Sequence, residues 1–228
     1  MGRIFACSDL HGMLPLWKNI VSFLKPDDKV FVLGDCGDRG PHSWETIKAI
    51  INEPRAILLK GNHEDMLVKA MCEYGRDEYM GKNCHLLFSN GGESTLFGWI
   101  ADGADMGWMN YLSKLPTIKS YYNQYQDIEI VMCHAGYSNY DDTIPCEEDL
   151  LWSREHFLNA PPEGKTLMVH GHTPIPYLAE DLGIKEAEFE GAFWYCNDKK
   201  VCIDCGAFAT GMTVLLDLDT FDEHIFQI

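Results

Sequence analysis

No run of 18 or more apolar residues occurs in the 228-residue chain. A helix needs about that length to cross the hydrocarbon core of a bilayer, so no membrane span is expected. The first residues, Met1 to His11, lack the long apolar stretch of a secretory signal. Position six is Ala6, where N-myristoylation calls for Ser or Thr. Positive charge is scarce: 18 Lys and Arg stand against 35 Asp and Glu, a formal net charge of −17. Binding to a phosphate backbone is built on Lys and Arg, so no nucleic-acid partner is expected. An anionic membrane surface is disfavoured for the same reason. There is no internal repeat, low-complexity tract or break in composition, which points to one domain over residues 1–228. Cysteine is not scarce, but its nine copies are odd in number and scattered. A chain this long can bury a core without staples, so these read as reduced thiols of a cytoplasmic protein. Cys202-Ile203-Asp204-Cys205 forms a C-x-x-C near Cys196 but has no second pair to complete a zinc site. Cys36, beside a candidate ligand, is a place where oxidation could matter.

What is present begins with alternating strand and helix signals. Arg3–Ser8, Lys29–Leu33 and Ala56–Leu59 are short β-type runs. Between and after them, Leu14–Leu24, Ser43–Ile51 and Asn62–Glu73 carry helical spacing. This order predicts largely parallel strands with covering helices, an α/β fold. Residues 74–116 read as mostly helical, broken at Gly81, Asn90-Gly91-Gly92 and Gly103. Strand-like runs follow at Thr117–Tyr122, Asp127–Cys133, Thr166–Val169, Lys200–Ile203, Thr213–Leu218 and His224–Ile228, enough for a second sheet.

Five segments carry the unusual chemistry: Ser8-Asp9-Leu10-His11-Gly12, Gly34-Asp35-Cys36-Gly37-Asp38-Arg39-Gly40, Gly61-Asn62-His63-Glu64, His134-Ala135-Gly136 and His170-Gly171-His172-Thr173. Each puts a metal-binding side chain in a Gly-containing turn after an apolar run. In open α/β sheets such turns converge on the edge where ligands bind. Carboxylate, imidazole and amide donors together suit borderline divalent ions such as Mn²⁺, Fe²⁺ or Zn²⁺, and suit Ca²⁺ or thiolate sites poorly. Asp35, central in the order, is the candidate bridge between two ions, since a carboxylate has two oxygens to share.

The pattern D-x-H, G-D-x-x-D-R-G, G-N-H-E and two later histidines resembles the signature of the calcineurin-like metallophosphoesterases, and within them the phosphoprotein phosphatases. Asn90-Gly91-Gly92, Leu151-Trp152-Ser153-Arg154-Glu155 and Gly171-His172-Thr173-Pro174 are similar to the compact bacterial and bacteriophage lambda type. The resemblance implies a two-sheet β-sandwich flanked by helices, the α/β/β/α metallophosphoesterase fold. It implies two divalent metal ions, Mn²⁺ first, with Fe, Zn, Co and Ni as alternatives. Asp9, His11 and Asp35 would hold one, and Asp35, Asn62, His134 and His172 the other. His63 would be the general acid, oriented by Asp38, while Arg39, Arg154 and Asn62 bind the substrate phosphate. The implied reaction is hydrolysis of phosphoserine or phosphothreonine in proteins by direct attack of a hydroxide bridging the ions. The alternative is hydrolysis of a small phosphoester such as a symmetrical dinucleoside tetraphosphate. Specificity between them would lie in residues 74–125 and in the 137–165 loop.

Blander roles are assigned to the remaining candidates. Asp38 and Arg39 could pair with each other, and Arg154 could be a surface residue. His170 is expected to be structural, and His42, His85, His156 and His224 to serve the surface or packing. Glu64 is expected to support its neighbours through hydrogen bonds, and Trp152 to lie in the core and position Arg154. Cys36-Gly37 replaces bulkier residues of the family pattern and predicts looser packing beneath Asp35. The C-terminal S-A-P-N-Y motif of the eukaryotic enzymes is absent, with Ile203-Asp204-Cys205-Gly206-Ala207 in its place.

Overall fold

The computed structural model describes residues 2–77, 81–137, 145–154, 164–183 and 191–228. His156, Glu155 and most of the 137–165 loop lie outside the described residues. Strands β1 (Ile4–Cys7), β2 (Lys29–Val32) and β3 (Ala56–Leu58) are parallel, with Ile4 opposite Lys29 and Val30 opposite Ala56. Helices α1 (Leu14–Phe23) and α2 (Ser43–Ile51) make the crossovers. Leu16, Trp17 and Ile20 in α1, and Trp44, Ile47 and Ile50 in α2, fall on one face by their three- and four-residue spacing and are buried. After β3 come α3 (Asn62–Asp77), α4 (Lys82–Ser89), α5 (Glu93–Ala101) and α6 (Met106–Ser113), separated where the glycine breaks fall.

The second sheet is built from β4 (Ile118–Asn123), β5 (Ile128–Cys133), β6 (Thr166–His170), β7 (Phe193–Tyr195) and β8 (Lys200–Cys202). Their spatial order is β4-β5-β6-β8-β7. Helix α7 (Glu147–Trp152) lies between β5 and β6, and α8 (Ile175–Asp181) between β6 and β7. After α9 (Ala207–Thr210), strands β9 (Met212–Asp217) and β10 (Glu223–Gln227) return to the first sheet. That sheet has the order β10-β9-β1-β2-β3 with β9 antiparallel to β1. The late strands are therefore shared between both sheets, and both sheets are mixed.

Alternation along each strand divides the interior in two. Phe5 and Cys7 of β1, with Val30 and Val32 of β2, pack against Trp17, Ile20, Ile47, Leu67, Leu96 and Trp99 of the helices. Ala6, Phe31 and Leu33 point the other way, against Ile130, Met132, Leu167, Val169 and Val201 of the second sheet. The result is two face-to-face sheets flanked by helices, the sandwich that the sequence resemblance implies. Packing beneath Asp35 is not loose: Cys36 is fully buried, and a Cβ at Gly37 would stand 2.7 Å from Ile47 Cδ1. Helix α2 supplies the missing bulk. Among the described residues no helix is long and apolar enough to cross a membrane.

Candidate metal centre

The chain leaves β1, β2, β3, β5 and β6 at one edge of the sandwich, and each exit delivers a site residue. The exits are tied together through the backbone. Asp9 N donates to Gly34 O (3.2 Å), His11 N to Asp35 O (2.9 Å) and Gly171 N to His134 O (2.8 Å). The turns are tight. Asp9, His11, Asp35, Asp38, Arg39 and His172 all have positive φ, between 39° and 70°. Non-glycine residues adopt this region at a cost of order 1–3 kcal/mol each, which the surrounding contacts must offset.

Among the described residues two donor clusters result: His11, Asp35 and His63, and Asp35, His134 and His172, each with one donor atom per residue within 4.8 Å of the others. Asp35 belongs to both. Its Oδ2 lies 3.6 Å from His11 Nε2 and 3.8 Å from His63 Nε2, while Oδ1 lies 3.3 Å from His134 Nε2. Asn62 joins the second cluster, with Oδ1 2.8 Å from His134 Nε2 and 3.1 Å from His172 Nδ1. Asp9 sits alongside: its Oδ2 accepts from Ser8 Oγ and from His172 N (3.0 Å), and its buried Oδ1 has no partner. Five of the six expected ligands thus meet in or against the two clusters, while Asp9 lies beside them and His63 takes the third place in the first cluster.

These residues fit a divalent cation. His11 donates from Nδ1 to Gly37 O (3.0 Å) and His134 from Nδ1 to Leu33 O (2.8 Å), which turns each Nε2 lone pair inward. His134 Nε2, Asn62 Oδ1 and His172 Nδ1 then converge at 2.8–3.2 Å, a spacing that suits a cation held among them. Burial opposes charge on His134, but the Asp35 carboxylate overrides it and lifts the pKa to about 10. Burial lowers His11 to about 3 and His172 to about 2, and raises Asp9 to about 6. Neutral imidazoles and a poorly solvated carboxylate with an unused oxygen are what a metal ion exploits.

Beside the donors lies the expected acid pair. His63 Nδ1 donates to Asp38 Oδ2 at 2.5 Å, both side chains buried. Burial lowers the His63 pKa, but the Asp35 and Asp38 carboxylates outweigh it and the net shift is upward. Arg39 does not pair with Asp38. Its Nη1 lies 2.8 Å from His11 Nε2 and its Nη2 lies 3.0 Å from His63 Nε2. Arg154 is exposed and shares with Arg39, His172, Thr173 and Tyr177 the lining of a cavity of about 330 Å³.

The supporting residues behave less uniformly. Glu64 accepts from Asp35 N, Cys36 N and Gly61 N at 2.8–2.9 Å, the supporting role expected of it. His170 is buried against the Tyr195 hydroxyl (2.6 Å) and Gly171 O, hence structural. His224 packs on Phe5 and Phe23, and His42 and His85 are exposed. Trp152 is 36% exposed, a correction to its expected place in the core. It closes the short α7 at the rim, 6.4 Å from the His172 ring. Cys202 and Cys205 are buried and donate to Thr173 O and Gly191 O, and neither belongs to either donor cluster. One residue that supports the site carried no signal in the sequence: Thr95 of α5 holds Asp38, as Ser8, quoted above only as part of a motif, holds Asp9.

Comparison with known proteins agrees with this fold. Over 190 residues the chain is 24% identical to the asymmetrical bis(5′-nucleosyl)-tetraphosphatase of Anoxybacillus flavithermus, covering 70% of this chain and 69% of the relative. Over 71 residues it is 34% identical to serine/threonine-protein phosphatase 2 of Escherichia coli, 30% of this chain and 32% of that one. A metallophosphoesterase structure from Sphaerobacter thermophilus superposes with a TM-score of 0.60 at 16% identity, covering 100% of this chain and 88% of that one. The family model for calcineurin-like phosphoesterases matches residues 2–203. With the two mixed sheets and the donor-lined edge between them, the chain belongs to the calcineurin-like phosphoesterase family and is a hydrolase of that family.

Proposed function

We propose that the chain is a dinuclear metal-dependent phosphatase of the serine/threonine type, hydrolysing phosphoserine and phosphothreonine in proteins. The observation that carries this reading is Asp35, whose two oxygens face two separate donor clusters. Asp9, His11 and Asp35 would hold one ion, and Asp35, Asn62, His134 and His172 the other, with Mn²⁺ the first choice. When bound, the ions supply Lewis-acid charge for phosphoryl oxygens and lower the pKa of a water.

The remaining work falls to the chain's own side chains. Arg39 and Arg154, lining one cavity, present guanidinium forks to phosphate oxygens. Asn62 turns Oδ1 toward the imidazoles, which leaves its amide N–H groups as donors to the phosphate. His63, held at Nδ1 by Asp38, offers Nε2 to the leaving oxygen and delivers the proton there. Arg39 touches the same Nε2, so phosphate and proton donor are brought to one point.

A second reading keeps this machinery and changes the substrate to a dinucleoside tetraphosphate. It is favoured by the relative that matches 70% of the chain, which is named as a tetraphosphatase. Specificity constants measured side by side on phosphoserine peptides and diadenosine tetraphosphate separate the two readings. A peptide preference supports the first, and a preference for the tetraphosphate by tenfold or more replaces it. In either case His63→Asn is expected to keep its metal and lose about 10²–10⁴ in turnover. Full turnover in that variant would remove His63 from the mechanism.

A further inference from the structure

We propose that Thr95 is a positioning residue for the His63–Asp38 pair, which extends the reading of His63 as proton donor given above. Thr95 is fully buried on α5, 57 positions along the chain from Asp38. Its Oγ1 accepts from Asp38 N (2.9 Å) and donates to Asp38 Oδ1. With Oδ1 taken, Oδ2 is left for His63 Nδ1, so one hydroxyl fixes which carboxylate oxygen meets the imidazole. Asp38 needs this outside support because its own backbone is held at φ 66°.

The turn ahead of α5 completes the cradle. Gly91, at φ 85°, accepts from Arg39 N through its carbonyl (2.8 Å). A Cβ on Gly92 would stand 2.8 Å from Asp38 Oδ2 and 2.3 Å from Leu87 Cδ1, so the carboxylate occupies space that a side chain would fill. A segment from the helical middle of the chain thereby sets the orientation of a pair that comes from the strand ends. Both hydrogen bonds given for the Thr95 hydroxyl run to Asp38, so it acts through that carboxylate.

The test compares kcat across phosphate monoesters of rising leaving-group pKa for the metal-loaded wild type, Thr95→Val, Thr95→Ser and His63→Asn. Protonation by a general acid matters most for the most basic leaving oxygens. Thr95→Val is expected to lose roughly tenfold to a hundredfold in kcat on alkyl phosphates and less on aryl phosphates, a fraction of the 10²–10⁴ a general acid contributes. KM and metal content should stay near wild type, and Thr95→Ser should restore most of the rate. In an Asp38→Asn background the Val substitution should cost no further rate, since its partner is already altered. A loss in Thr95→Val that is equal on every leaving group, or additive with Asp38→Asn, overturns the proposal. So does failure of Ser to rescue. If His63→Asn itself shows no leaving-group dependence, the proton-donor reading falls and the role of Thr95 falls with it. Should Thr95→Val not fold, Thr95→Ala in the same series carries the same expectations.

Discussion

Glu64 illustrates how single side chains hold the site without doing chemistry. It is 1% exposed and accepts three backbone N–H groups, from Asp35, Cys36 and Gly61. One carboxylate thereby joins the turn after β2 to the turn after β3. A glutamine in its place keeps one acceptor oxygen and turns an amide N–H₂ toward a backbone donor. Glu64→Gln is therefore expected to destabilise the metal-free protein by about 1–3 kcal/mol, the loss for an orphaned buried donor. Thermal unfolding in chelator measures it, and an unchanged Tm would mean the turns are held otherwise. Asp35 differs because both its oxygens are needed. Asp35→Asn leaves one good donor oxygen where two clusters converge and should lower the bound metal toward one ion or none per chain. Elemental analysis of the purified variant decides this, and two ions per chain would rule out the bridge.

At the level of elements, the site is a set of strand exits held in register by glycines that admit no side chain. Gly171, between β6 and His172, is the tightest of them. A Cβ there would stand 2.0 Å from Asp9 Oδ2 and 2.2 Å from Ser8 Oγ. Gly171→Ala should push the Asp9 and His172 turns apart while leaving both sheets intact, lowering metal affinity about 10–100-fold. Metal titration alongside far-UV circular dichroism tests this, and unaltered affinity would show that the turns relax at little expense. Much at this level was legible beforehand. The apolar spacing placed α2 at its observed bounds and located β1, β2, β3 and the breaks between α4, α5 and α6. The three-residue β7 and the four-residue α9 are too short to show a period. The return of β9 to β1 depends on a pairing across more than 200 positions, which no local pattern encodes. The candidate ligands were legible because Asp, His and Asn in glycine turns announce their chemistry. Thr95 was not, since a threonine within a helix has none to announce and its partner Asp38 is distant in sequence.

Across the whole molecule the charge works against the proposed substrate and must be overcome locally. The chain carries −17, yet the phosphate would enter beside Arg39 and Arg154. Near them, at Trp152, a second cavity of about 410 Å³ is lined by Asp65, Glu147 and Glu148 together with Lys69. Two of the acids are already engaged: Glu147 with Lys60 at 2.7 Å and Asp65 with Lys69 at 2.6 Å. Attraction for a basic residue therefore comes from the summed field of the acidic surface more than from one pair. A phosphopeptide with Lys or Arg around its phosphoserine should have a higher kcat/KM than one with Asp or Glu. The gap should be widest at low salt, where the Debye length reaches about 30 Å at 0.01 M, and should narrow toward 0.15 M, where it is about 8 Å. Long-range attraction speeds encounter, so the gap belongs in kcat/KM and not in kcat. Equal values for both peptides at low ionic strength would mean that the local cations at the phosphate site alone govern approach. A gap that persists unchanged in high salt would instead point to direct contacts between peptide and the cavity beside Trp152.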